Sequence, residues 1–408
     1  MKPDLSVTVC GIRHKNPIIV ASATPSGNFE HMKTCVDAGA GGIIAKTYTP
    51  EPLARQYVTP RFTVLHKKGW PHNFSNYSCE FLAQYDLDEW AKELEKSVKY
   101  CHEHDVVLYG SLSGDTLENW EKMARQCEAT GVDALELNFG CPHPKDLGYL
   151  SGQELGNNPD AAAAVTKVVC DAVKIPVFCK LTSEAVNPCV VAEKCKAAGA
   201  SGLTVINRFS ALDIDLEAGG RPLLHANFAG VGGPWMRPIL LKWLIKIGRA
   251  AQLPMSATSG IWGWEDVVKA IMCGASTVQT CTALMYSAKG YGMIQEYVDK
   301  LAAFMESHGY ETIEQMRNIT EPQVITWDEV DREAYANHEN HSVVDTDKCR
   351  GCGMCHNWCF RGAISYDESK KAHIDAAKCD GCGLCPSLCP ANAIKLESLK
   401  PVYLGDFN

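Results

Sequence analysis

No stretch of this chain is apolar for long enough to cross a membrane, and its start, Met1-Lys-Pro-Asp-Leu-Ser, lacks the charged opening and apolar core of a secretory signal. A soluble, cytoplasmic protein with no membrane partner is therefore expected. A basic block is missing too, and with a formal net charge of -9 nucleic acid finds no footing. No strand-turn-helix G-x-G-x-x-G occurs, so the chain has no obvious nicotinamide site of its own. Pairing rhythm is absent among most of the 20 cysteines. That pattern excludes a disulfide scaffold and fits free thiols in a reducing, oxygen-poor compartment.

Eight cysteines do follow a strict spacing. The chain reads Cys349-Arg-Gly-Cys352-Gly-Met-Cys355-His-Asn-Trp-Cys359 and then Cys379-Asp-Gly-Cys382-Gly-Leu-Cys385-Pro-Ser-Leu-Cys389-Pro390. Two C-x2-C-x2-C-x3-C runs hold two 4Fe-4S clusters, with each fourth cysteine serving the cluster of the other run. Cys349, Cys352, Cys355 and Cys389 would bind one cluster, and Cys379, Cys382, Cys385 and Cys359 the other. A structural zinc site takes four ligands from paired knuckles and would not repeat a triple-plus-one run twice. The chain is thus expected to move single electrons.

At 408 residues there is room for one large domain and a small one. A βα rhythm runs from residue 17 to about 309, with strand candidates at Pro17–Ala23, Gly42–Thr47, Val106–Ser113, Ala134–Gly140, Pro176–Thr182, Gly202–Arg208, Met255–Gly260 and Thr277–Thr282. Helical stretches alternate with them, and Gly39, Gly131, Gly199 and Gly274 each close a helix before a strand. Eight such units predict a closed (β/α)8 TIM barrel over residues 1–309 rather than an open doubly wound sheet. Residues 310–340 read as a polar linker wrapped over the barrel. Residues 341–408 read as a bacterial-ferredoxin-type domain with a C-terminal tail. Two long connections, residues 48–86 and 209–234, follow strand ends on the catalytic side of a barrel and are candidate lids.

The strand ends carry the chemistry. They read Ala21-Ser22-Ala23, Lys46-Thr47, Asn138-Phe-Gly-Cys141, Lys180-Leu-Thr182, Asn207-Arg208, Ser259-Gly260 and Gln279-Thr280-Cys281-Thr282. Two lysines, amides and a thiol in one mouth form an anion-tolerant cup that FMN fits, with a phosphate on the backbone of the last two strand ends. Taken singly, Lys46 or Lys180 is an ordinary rim lysine and Cys141 an inert thiol. The weight lies in their sharing one end of the barrel.

On these segments, with Ile18-Ile-Val-Ala-Ser22, Ala45-Lys46-Thr47, Ala134-Leu-Glu-Leu-Asn138-Phe-Gly-Cys141-Pro142-His143 and Gly230-Val-Gly-Gly233, the barrel resembles the dihydroorotate and dihydropyrimidine dehydrogenase family. With the cluster domain, nearly the whole chain is similar to the iron-sulfur catalytic subunits of that family. The resemblance implies FMN held by Ala21, Ser22, Lys46, Thr47, Lys180, Gly233, Ser259, Gly260, Cys281 and Thr282. It implies that Asn76, Asn138 and Asn207 face substrate and flavin, and that Cys141 is the acid/base. The implied reaction reduces, or reversibly oxidises, a carbon-carbon bond conjugated to a carbonyl, as in uracil or thymine and their 5,6-dihydro forms. A thiol, which ordinarily ionises near pH 8.5, suits the proton transfer. A flavoprotein that oxidises NAD(P)H, or a ferredoxin, would supply electrons, in a homodimer or hetero-oligomer.

Three departures stand out. After His143 the chain reads Pro144-Lys-Asp-Leu-Gly-Tyr-Leu-Ser-Gly152-Gln153 instead of a glycine-rich loop, Arg208 replaces a threonine, and Ser78 replaces an acidic residue. Arg208 would clamp an anionic unsaturated acid or amide, or else point to solvent and pair with Asp213 or Asp215. A third possibility is an electron relay whose barrel is only a scaffold.

Overall fold

The computed structural model describes residues 2–69, 71, 73–141, 151–226, 228–332 and 340–397. Pro142, His143 and the altered stretch up to Leu150 lie outside the described residues, as do 333–339 of the expected linker and the tail from 398. Two compact units divide the chain, Met1–Gln323 and Val324–Asn408.

In the first unit, the β-branched and apolar runs form eight parallel strands: Ile18–Val20, Gly42–Ile44, Val107–Leu112, Ala134–Asn138, Val177–Lys180, Gly202–Val205, Met255–Ala257 and Thr277–Thr280. Each pairs with the next, and the last returns to the first through Val278 opposite Ile18, closing the barrel. This is the expected fold. Helices cover the outside. The helix Leu87–Glu103 starts at a capping box in which Asp86 accepts from the Glu89 amide, and it buries Trp90, Leu94, Val98 and Cys101 against the barrel. Fully burying such a side chain contributes about 1.5–3 kcal/mol. Trp90 also donates from Nε1 to the Lys46 carbonyl at 3.3 Å, so a helix outside the barrel fixes a residue at its mouth. The repeated glycines 39, 131, 199 and 274 have φ of +92°, +87°, +108° and +106°, as helix-closing positions require.

The two long connections meet each other, which no local pattern foretold. Strands Phe62–Leu65 and Ser75–Ser78 from the first join Phe209–Ala211 and Ala229–Gly232 from the second in a four-stranded antiparallel sheet. In its register Asn76 lies opposite Gly232 and Ser78 opposite Gly230.

The first part of the expected linker falls within the first unit. Residues 310–323 pack with the barrel, because the short helix Ile313–Met316 is amphipathic and buries both of its end residues in the main core. Asp4 bridges to Thr312, and Arg249 pairs with Glu321 at 2.6 Å. The polar character of this stretch concealed two fully buried anchors.

The second unit is a duplicated half. His341–Val344 pairs with Ile394–Glu397, and Ile364–Tyr366 with Ala372–Ile374. Its equivalences extend to single hydrogen bonds: the Cys349 amide donates to the Asp345 carbonyl and that of Cys379 to Asp375, both at 3.0 Å. Ala363 and Ala393 donate to the sulfurs of Cys359 and Cys389 at 3.4 and 3.3 Å.

Candidate active site

At the C-terminal ends of the barrel strands lies a cleft of about 730 Å³. Ala21, Ser22, Asn76, Lys180, Asn207, Arg208, Gly233, Ser259, Gly260, Cys281 and Thr282 all line it. Strand alternation aims every second residue into the barrel, so side chains distant in sequence converge at its mouth. Four predicted residues stand outside this lining. Thr47 and Asn138 support it: the Asn138 amide donates to Thr47 Oγ1 at 3.3 Å, and the Thr47 amide donates to Ser22 Oγ at 2.9 Å. Lys46 is buried, with Nζ donating to Glu80 at 2.6 Å. Cys141 lines a second cavity of about 1160 Å³, which shares Glu80 with the cleft.

Glu80 was not singled out in the sequence, yet it joins the two spaces. Its Oε1 accepts from Lys46, from the Thr24 amide at 2.6 Å and from Thr24 Oγ1 at 2.7 Å. Burial alone would raise its pKa. The Lys46 ammonium, then the Arg208 guanidinium, together with these hydrogen bonds outweigh burial and hold the carboxyl at about 2. A carboxylate thus stands two residues beyond Ser78.

Arg208 takes neither of its expected partners. Its Nη1 donates to Ser78 Oγ and, at 3.3 Å, to the Gly230 carbonyl, so the lid sheet holds the guanidinium rather than Asp213 or Asp215. Serine at position 78 gives that guanidinium an acceptor. Glu80 is close enough for Arg208 to act on it, and the site brings three cations, Lys46, Lys180 and Arg208, to two carboxylates, Glu80 and Glu136.

Beneath Lys180 the barrel interior is polar. Glu136 is fully buried; its Oε2 accepts from Thr204 Oγ1 at 2.8 Å and Gln279 Nε2 at 3.0 Å, while Oε1 lies 3.6 Å from Lys180 Nζ. Because the carboxylate can only accept, it fixes the Gln279 amide with Nε2 inward. Gln279 Oε1 is left without a hydrogen-bond partner, and Gln279 lines the cleft. A lone buried acceptor beside a lysine fits the polar edge of a flavin ring, which offers both an N–H and anionic character on reduction. FMN therefore fits the residues present. Gln279 and Glu136 were missed because their value depends on each other. The Cys281 thiol, lining the same cleft, is pushed up to about 12 by burial first and the Glu80 charge second, and so stays protonated.

Cys141 is held by its own chain. Gly152, at φ +53°, packs so tightly that an added Cβ would sit 2.6 Å from the Cys141 carbonyl oxygen. The Gln153 amide donates to that same carbonyl at 3.0 Å.

In the second unit, Cys349, Cys352, Cys355 and Cys389 surround one cavity of about 350 Å³. Cys359, Cys379, Cys382 and Cys385 surround another of about 530 Å³. The division is the crossed one that the spacing predicts, and these sulfurs fit two cubane clusters.

A family profile described as dihydroorotate dehydrogenase matches residues 4–305, and one described as a 4Fe-4S dicluster domain matches residues 342–396. The chain belongs to the dihydroorotate dehydrogenase family. It is an oxidoreductase of the dihydroorotate and dihydropyrimidine dehydrogenase type, acting on CH–CH bonds. The family implies FMN, and the dicluster domain implies two clusters. Among relatives of this dihydroorotate dehydrogenase-family chain, the NAD-dependent dihydropyrimidine dehydrogenase subunit PreA of Escherichia coli is 28% identical over 88% of this chain and 86% of its own. The catalytic subunit of dihydroorotate dehydrogenase B (NAD(+)) from Methanocaldococcus jannaschii is 32% identical over 74% and 94%. The crystal structure of dihydroorotate dehydrogenase from Eimeria tenella superposes with a TM-score of 0.65 at 19% identity, covering 78% of this chain and 88% of that one, a likeness of fold. Among the described residues no helix is long and apolar enough to cross a membrane.

Proposed function

We propose that the chain is the catalytic subunit of an enzyme that reduces, or reversibly oxidises, a carbon-carbon bond conjugated to a carbonyl. The carrying observation is the pairing of two spaces around Glu80: one lined by Lys180, Asn76 and Asn207, the other by the Cys141 thiol. Bound FMN would supply the hydride. Lys180, braced by Glu136, would stabilise negative charge at the ring edge. The amides of Asn76 and Asn207 would orient the substrate carbonyl, and Cys141 would hold the proton destined for the carbon next to it. Tyr286 donates to Asn76 Oδ1 at 2.8 Å, which leaves the Asn76 NH₂ group as the donor for a carbonyl.

Residues 341–397 would hold the two clusters and pass electrons singly toward the barrel. As two relatives are named as subunits of NAD-dependent enzymes, an NAD(P)H-oxidising flavoprotein subunit is the proposed electron donor, with a ferredoxin in second place. Stopped-flow mixing of anaerobically reduced protein with uracil, thymine, orotate and a panel of unsaturated acids and amides tests the reading. Reoxidation of the flavin by one class of compound supports it. Failure of every compound, with flavin and clusters intact, favours the relay alternative.

A further inference from the structure

The second cavity has walls of the wrong chemistry for a pyrimidine. Leu53 and Ala54 on the short helix Pro52–Arg55, with Val58, Phe81 and Leu82, make one side apolar. Leu53 and Val58 are 64% and 45% exposed, so two large apolar side chains stand open at the mouth of a catalytic barrel. A ring carrying polar atoms around its edge would leave these walls facing water. Apolar walls with a few convergent polar groups are instead how proteins hold molecules with an apolar body.

The charges point the same way. The described residues lining this cavity include Glu51, Glu80 and Asp115 but no lysine or arginine. The Glu51 carboxylate caps the helix by accepting from the Leu53 amide at 3.1 Å, and Asp115 accepts from Asn119 at 2.7 Å. Among the described residues, the charged groups that line this cavity are these carboxylates, with Glu80 already paired to Lys46. Arg208 and Lys180 line the neighbouring cleft instead. The two spaces meet at Glu80, and Cys141 opens into the apolar one.

From this arrangement we propose that the substrate is an unsaturated carbonyl compound with a neutral, apolar substituent of about aryl size. Its carbonyl lies among the amides of the cleft, and its substituent extends past Cys141 to Leu53, Val58 and Phe81. This deepens the reading above and rests on it for the position of the reacting bond.

The test uses the reconstituted holoenzyme without oxygen and two saturated, unreactive probes, butyramide and 3-phenylpropanamide. Binding of each is followed through the absorbance of the oxidised flavin. The phenyl probe is expected to bind at least 10-fold more tightly. Leu53→Glu should bring the ratio of the two affinities close to one, and Val58→Glu should lower it in the same direction. Both positions are exposed, so the variants are expected to fold, and an unchanged flavin spectrum verifies it. No preference for the phenyl probe in wild type, or a preference that survives both variants, overturns the proposal. Reduction of crotonamide and cinnamamide is read separately. If the phenyl preference holds and collapses on mutation while neither amide is reduced, the cavity stands and the catalytic reading falls. If crotonamide and uracil are reduced with no phenyl preference, the chemistry stands and the cavity proposal falls.

Discussion

Replacing Glu80 by glutamine keeps the shape of the side chain and removes its charge, which isolates the worth of the buried pair with Lys46. Glutamine retains an oxygen for the two Thr24 donors but leaves the Lys46 ammonium without a counter-charge at 2.6 Å. The Glu80 carboxyl is depressed from an ordinary 4.5 to about 2. At 1.36 kcal/mol per unit, this difference corresponds to about 3 kcal/mol of stability at neutral pH. Loss of one partner of a buried pair typically costs about 3–5 kcal/mol, an independent route to the same size. Because the folded-state pKa is the lower one, the contribution is complete above the unfolded-state value and is lost as pH falls toward the folded one. By pH 4 it should have fallen by roughly 1 kcal/mol. At about 2 °C per kcal/mol for a large domain, Glu80→Gln should lower Tm by roughly 6 °C at pH 7. Scanning calorimetry of wild type and variant holoprotein at pH 7, 5.5 and 4 gives the measurement. A gap equal at pH 7 and 5.5 and smaller at pH 4 is expected; no gap, or one that widens on acidification, would refute the reasoning.

Cys141→Ala should leave flavin and iron content unchanged and slow substrate-dependent flavin reoxidation roughly 100-fold or more, the usual contribution of a general acid; Cys141→Ser should be slow, with its optimum moved to higher pH, and full activity in the alanine variant would make Cys141 an inert thiol. Gly152→Ala must shift either itself or the Cys141 carbonyl from 2.6 Å contact, and as a misplacement of about 1 Å can cost about 100-fold, single-turnover rates should fall by roughly 10- to 100-fold with FMN retained. Anaerobically purified protein should contain about eight irons per chain, as two cubane clusters require; a stoichiometry near one zinc without iron would refute the cluster assignment. Since Phe360 follows Cys359 where Pro390 follows Cys389, and Phe360 is 86% exposed, the clusters should show separate midpoints in an EPR-monitored redox titration.

Some of this molecule was legible in the chain alone. The eight strands declared themselves because each is a short buried run bounded by turn signals, and the helix-closing glycines recur because a left-handed residue is needed at every such end. The cluster ligands could be divided into their two sets by spacing, since three thiolates within one tight loop must borrow a fourth from the other run. Lys180, Asn207 and the small residues of the last two strands were readable as one group because parallel strands in a barrel all end at the same mouth. The partners of Lys46 and Arg208 were not readable. Glu80, Ser78 and Gly230 belong to two insertions separated by some 150 residues, and only the sheet that joins them brings a carboxylate to one cation and a hydroxyl to the other. The burial of Ile313 and Met316 within residues 310–323 was not readable for a related reason: whether they count as linker or core depends on whether a barrel surface is there to bury them. The open apolar cavity beside Cys141 likewise has no trace in local sequence. Leu53, Val58, Phe81 and Leu82 are ordinary hydrophobic residues until the fold sets them around a space that opens onto a thiol.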